Sequence, residues 1–178
     1  NLAYWMAFQL LTGNIDTQSR NMYLYSPTNS DTFYLLDWDN DGMLMRKEYE
    51  IRQRSEGQSW ENGVSNYWGN QLFQRLLKSK EFRKGLDEKM DELRKTITGD
   101  KITSMSNEYA TVIKPYLAKM PDQMHAKTTP DNYDKILADL PNELENNYKI
   151  YKTSLEKPQP FFINKPEVAN NKLKLSWG

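Results

Sequence analysis

Three aspartates at alternate positions, Asp37, Asp39 and Asp41, follow the apolar run Phe33-Tyr34-Leu35-Leu36 and are closed by Gly42. Carboxylates set that close repel one another, and the usual remedy is a bound divalent cation. The stretch before them is patterned too. Asp16 is followed five residues later by Asn21; 22–25 then reads as a strand, Ser26-Pro27-Thr28-Asn29-Ser30 as a turn, and 32–37 as the returning strand. A hairpin of that kind predicts that the Asp16–Asn21 loop and the aspartates meet at its open end, around one metal site.

Composition narrows the function classes. Twenty-four basic and 24 acidic residues cancel, so no overall field recruits nucleic acid or an anionic membrane. There is no cysteine, which rules out disulfides and thiolate metal sites. The single His125 sits in a polar stretch and reads as a surface residue. No run of about 18 apolar residues is present to span a membrane. Hydrophobic content is 38%, and the 12% aromatic residues supply large buried areas in a chain of one-domain size.

The expected fold is mainly α (α+β), with one small hairpin. Residues 2–11 (L-A-Y-W-M-A-F-Q-L-L) are apolar nearly all round, predicting a helix buried on most sides and ended by Gly13. This opening in mid-helix, without Met, implies further chain upstream of Asn1. Residues 46–65 read as a covering loop with a helical turn. Helices follow over 66–78 (Trp68, Leu72, Leu76, Leu77), over 81–97 (Phe82, Leu86, Met90, Leu93, Ile97, stopped by Gly99) and over 101–119 (Met105, Tyr109, Val112, Tyr116, kinked at Pro115). Thr129-Pro130 opens a last helix striped by Leu137, Leu140, Leu144, Tyr148, Tyr151 and Leu155 and interrupted by Pro141. All of these stripes are expected to be core. Beyond Lys157, prolines give way to the alternation K-L-K-L-S-W, an unpaired half-buried strand. The domain boundary accordingly falls between 1–157 and 158–178.

The acidic stretch admits three readings. Asp37, Asp39, Asp41, the Met43 carbonyl and Glu48 fit a calcium loop of EF-hand type, with Leu44 at its aliphatic position. Against this, an EF-hand is entered by a helix, and F-Y-L-L reads as strand. The acids could also form a solvated turn. The third reading follows from order: Asp16, then Asn21, then a hairpin, then Asp39 with Asp41-Gly42. Protein kinases show the same order, with an Asp base, an Asn on Mg²⁺ five residues on, and a second metal-binding Asp beside a Gly. The His-Arg that usually precedes the kinase Asp is replaced by Asn14-Ile15.

The series L-A-Y-W-M-A-F-Q-L-L-T-G-N-I-D-T-Q-S-R-N-M-Y-L-Y, with F-Y-L-L-D-W-D-N-D-G after it, resembles the CotH kinase family, the atypical protein kinases similar to bacterial spore coat protein H. Phe82-Arg83 and I-K-P-Y-L-A resemble later segments of that family, and the likeness spans roughly 2–156. It implies ATP-dependent phosphorylation of Ser on secreted, surface or spore-coat proteins of bacteria. Asp16 would orient or deprotonate the hydroxyl. Asn21 and Asp39 would hold Mg²⁺ on the nucleotide phosphates, with Asp41 as a second carboxylate. Trp38 reads as a core residue bracing the strand. No Gly-rich phosphate loop or lysine-bearing strand pair occurs in the 178 residues. The chain therefore matches the C-lobe-like half, expected inactive without an upstream ATP-binding lobe. Residues 158–178 would be a linker and the first strand of an Ig- or fibronectin-like module. The alternative function is a surface or adhesion module with a structural Ca²⁺ loop.

Overall fold

The computed structural model describes residues 1–14, 17, 20–45, 63–157, 161, 163–169 and 171–177. Helix α1 (Leu2–Thr12) runs through the centre. Its apolar circumference leaves it nowhere to go but inside: Trp5, Met6, Ala7, Leu10 and Leu11 are buried. It ends on Gly13, whose φ of 69° gives the left-handed turn that releases the chain.

The hairpin follows, with β1 (Tyr23–Tyr25) antiparallel to β2 (Tyr34–Leu36) and Leu24 opposite Leu35. A 3₁₀ turn (Gly63–Tyr67) then leads into α2 (Gln71–Lys78), capped by the Asn70 side chain, and α3 (Lys80–Thr96), capped by Ser79. The 4-4-3-4 spacing in α3 is honoured: Leu86, Met90 and Leu93 are buried against α1. Each such side chain contributes about 1.5–3 kcal/mol.

The helix ends before Gly99, which opens α4 (Gly99–Leu117) behind the Thr98 cap instead of stopping α3. Both α4 and the long α6 (Pro130–Glu156) run on through their internal prolines, Pro115 and Pro141. Between them lies the single turn α5 (Asp122–His125), with His125 exposed. Thr129 caps α6 as expected, accepting from the Asn132 amide at 3.3 Å. Among the described residues, no helix is long and apolar enough to cross a membrane.

α1 lies between α3 and α6, and α4 packs along α6. The centre of the core is aromatic. Trp5 stacks on Phe73 at 5.7 Å between ring centroids, and Tyr67 meets both edge-on.

Three further expectations need correction. The stripe Met105, Tyr109, Val112 and Tyr116 faces outward on α4, 46–62% exposed, because α4 rests on α6 through the side that carries Ala110. Trp38 is 58% exposed and packs edge-on against Tyr23 at 5.9 Å, so it braces the hairpin from outside the core. The tail has a partner after all: β3 (Glu167–Ala169) pairs with β4 (Lys172–Lys174), and an Ile163–Trp177 bridge extends the ladder. The alternation K-L-K-L showed one arm; the short arm E-V-A gave no periodicity to read.

Candidate functional site

The site is built where α1, the following loop and the open end of the hairpin meet. Gly13 turns the chain out of α1, and Asn147 on α6 fixes that turn by donating to the Leu11 carbonyl at 3.2 Å. Asn14 is 2% exposed, and its Nδ2 donates to Asn40 Oδ1 at 3.1 Å. That bond ties the loop after α1 to the middle of the aspartate series. Three residues on, the buried Thr17 hydroxyl lies 3.0 Å from the Tyr67 hydroxyl and also donates to the Asn14 carbonyl. Burial pushes the Tyr67 hydroxyl well above the ordinary tyrosine range, the Thr17 bond opposing only partly. It stays a neutral hydrogen-bonding post in the aromatic core. Asp16 lies outside the described residues, as does Glu48; the bracing just described belongs to Asn14 and Thr17.

The aspartate series is held from a second side. The Leu44 amide donates to the Thr12 carbonyl at 2.7 Å, so the last turn of α1 and the end of the loop satisfy each other. Buried Gln9, the polar residue in the apolar run of α1, donates from Nε2 to Asp37 Oδ1 at 3.1 Å. Its Oε1 is buried with no hydrogen-bond partner among the described residues, leaving an amide carbonyl oxygen in the same group that holds Asp37. Sequence reasoning missed Gln9. A single polar side chain inside an otherwise apolar, all-round buried helix is the signal that could have found it.

Asn21 and Asp39 leave the hairpin at the same end. The register pairs Tyr23 with Leu36, so the strands depart toward Asn21 on one side and Asp39 on the other. Both adopt left-handed backbone, with φ of 52° and 54°. Such a conformation is uncommon outside glycine and easiest for Asn and Asp, whose side chains tolerate it. Asp39 and Asp41 are exposed. From 21 to 45 the chain has four aspartates and no Lys or Arg. Carboxylate, amide and carbonyl oxygens are the hard donors that suit Mg²⁺ or Ca²⁺. Among the described residues, no three acidic or histidine side chains come together as a metal cage.

The calcium-loop reading is not favoured by this geometry. The element entering Asp37 is strand β2, and Gly42, which should make the sharp turn, is not in the left-handed region; Asp39 and Leu44 are.

A family model, CotH kinase protein, matches residues 1–151. The chain belongs to the CotH kinase family. The match covers α1, the hairpin and most of the helical layer, so the site above lies inside the CotH region and the β3–β4 tail outside it. No curated protein and no solved structure matches the chain. Membership makes this a kinase-like protein, and CotH kinases as a class draw on ATP and Mg²⁺.

Burial pushes the Asp37 carboxyl above its usual 3.8, and the Gln9 bond lowers it only in part. The native state therefore holds the proton more tightly than the unfolded chain, and stability falls as pH rises through that window. Asp37→Asn keeps an oxygen for Gln9 and removes the charge. Its melting temperature in EDTA at pH 7 should equal or exceed the parent's, with the gap closing below about pH 4. Thermal melts from pH 3 to 7 check this; a variant several degrees less stable at pH 7 would show a charged partner on Asp37.

Proposed function

We propose that this CotH chain forms the metal and substrate side of a protein Ser kinase. Asp16 orients the acceptor hydroxyl and takes its proton; Asn21 and Asp39, with Asp41 as a further carboxylate, would hold Mg²⁺, which would supply charge neutralisation for the nucleotide phosphates. The observation that carries the reading is the Asn14–Asn40 bond, which ties the loop leading to Asp16 to the aspartates beyond the hairpin. Mg²⁺ is commonly held by one or two protein oxygens together with substrate phosphates, so Asn21 and Asp39 form a sufficient set.

The ion neutralises phosphate charge when bound. The chain's own residues align the hydroxyl with the transferring phosphorus and remove its proton, without a covalent enzyme intermediate. The phosphate-contacting lysine comes from an ATP-binding lobe of the same protein, and this chain alone does not turn over ATP. The substrate is a Ser-bearing protein of the bacterial surface or spore coat. Residues 158–178 are a linker and the start of an Ig- or fibronectin-like module.

Calorimetry on the protein carrying both lobes tests the reading. Mg²⁺ with ATP should bind at one site, and Asp39→Asn should weaken that binding at least about tenfold. Ca²⁺ binding without nucleotide, lost in Glu48→Gln and kept in Asp16→Asn, would overturn it in favour of a structural calcium loop.

A further inference from the structure

Gln9 is the single amide side chain of α1, and it is 1% exposed. The buried Thr12 hydroxyl on the same helix is satisfied locally, donating to the Phe8 carbonyl at 2.8 Å. Gln9 is not satisfied in that way. Its Nε2 leaves the helix for Asp37 Oδ1, 3.1 Å away, and its Oε1 has no hydrogen-bond partner among the described residues. A buried amide oxygen left in that state destabilises the fold, and a methionine would fill similar space without the loss. Core packing therefore gives no reason for a glutamine at this position.

The reason lies at the other end of the bond. Asp39 holds a left-handed backbone, with φ of 54°, which a residue other than glycine keeps where its surroundings fix it. Two ties bracket it. Gln9 holds Asp37 on one side, and Asn14 Nδ2 donates to Asn40 Oδ1 at 3.1 Å on the other. Beyond Asp41, the Leu44 amide donates to the Thr12 carbonyl at 2.7 Å and closes the segment. All three anchors belong to α1 or to the loop leaving it, and the exposed Asp39 and Asp41 lie between them. We infer that Gln9 is a positioning residue for the Mg²⁺ site, fixing the backbone that carries Asp39 through its bond to Asp37 and lowering the stability of the fold in doing so. The inference rests on the kinase reading above, in which Asp39 is an Mg²⁺ ligand. Gln9 acts from behind that ligand, and groups so placed are worth about 10–100-fold in metal affinity.

The expected signature is a split between binding and stability. In the protein carrying both lobes, Gln9→Met should weaken calorimetric binding of Mg²⁺ with ATP by about 10–100-fold. Its melting temperature without metal should stay within about 2 °C of the parent's or rise above it, because water replaces Gln9 at the exposed Asp37. Asp37→Leu removes the same bond from the other side and should weaken binding to a similar degree. Asp37→Asn keeps an acceptor for Nε2 and should lose far less. Gln9→Met combined with Asp37→Leu should bind no more weakly than either alone, since one bond can be lost only once. Parent-like binding by Gln9→Met would overturn the inference. So would equal losses from Asp37→Asn and Asp37→Leu, which would put the effect on charge rather than on the bond. A loss of binding matched by a fall of more than about 4 °C in melting temperature would overturn it too, making Gln9 a packing residue. Asp39→Asn separates this inference from the reading beneath it. If that variant weakens binding and Gln9→Met does not, the positioning role alone fails; if neither does, the Mg²⁺ assignment fails with it.

Discussion

Replacing Asp39 by Asn is expected to cut phosphoryl transfer by about 10²–10³-fold in the protein that carries both lobes, while moving the melting temperature by no more than about 2 °C. Asp39 stands at the open end of the hairpin on a backbone with φ of 54°, a conformation Asn adopts as readily as Asp. The side chain is exposed, so the exchange leaves the core untouched. What changes is one formal charge on a proposed ligand, and a neutral amide is a far poorer ligand for a hard cation than a carboxylate. Asp16→Asn should show a loss of about 10²–10⁴, the range for removing a positioned general base. Asp37→Asn serves as the comparison, since Gln9 already occupies that carboxylate; it should keep most of the activity. Transfer of labelled phosphate to a Ser-bearing substrate measures all three. If Asp39→Asn keeps more than a tenth of the parent rate, the assignment of Asp39 is wrong.

Gly13→Ala should damage the fold more than its size suggests. The position has φ of 69°, where an added Cβ costs about 1–2 kcal/mol. That Cβ would also lie 2.5 Å from Nδ2 and 2.8 Å from Cγ of Asn147, so the buried amide must move. Displacing it breaks the bond to the Leu11 carbonyl and leaves polar groups unpaired, at about 1–3 kcal/mol. The sum is about 3 kcal/mol, or a fall of about 6–12 °C in melting temperature for a chain of this size. Asn147→Ala removes the obstacle and the bond together. The double variant should therefore be less destabilised than the two single changes added, which a double-mutant cycle on thermal or urea unfolding reads directly. A fall below 2 °C for Gly13→Ala would mean that the turn relaxes freely. In that case, the link from α6 through α1 to the aspartates would not position the site.

The hairpin that carries Asn21 and Asp39 could be read from the chain because its elements are close in sequence. Asn21, the strand pair and Asp39 span fewer than twenty residues, and a turn such as Ser26–Ser30 leaves little choice in how they fold back. The helical layer was legible for a similar reason: Leu86, Met90 and Leu93 recur at the pitch of one face, and Thr129-Pro130 marks a helix start by local chemistry alone. Gln9 was not legible as a site residue, nor was the role of Asn14. Their partners, Asp37 and Asn40, are 28 and 26 residues away, and nothing local encodes those distances.

The sharpest contrast lies between two helices with equally good apolar spacing. In α3 the stripe is buried; in α4 it faces solvent. Periodicity states that a helix has an apolar face, whereas burial depends on which neighbour arrives to cover it. From the chain alone came the local facts: helix pitch, caps, turns and the gathering of like charges. Only the tertiary structure decided which stripe became core, that Trp38 stands outside it, and that a glutamine from the central helix reaches the aspartates. Those outcomes rest on contacts between residues far apart in sequence, whose free energy exists only once the whole chain has closed around them.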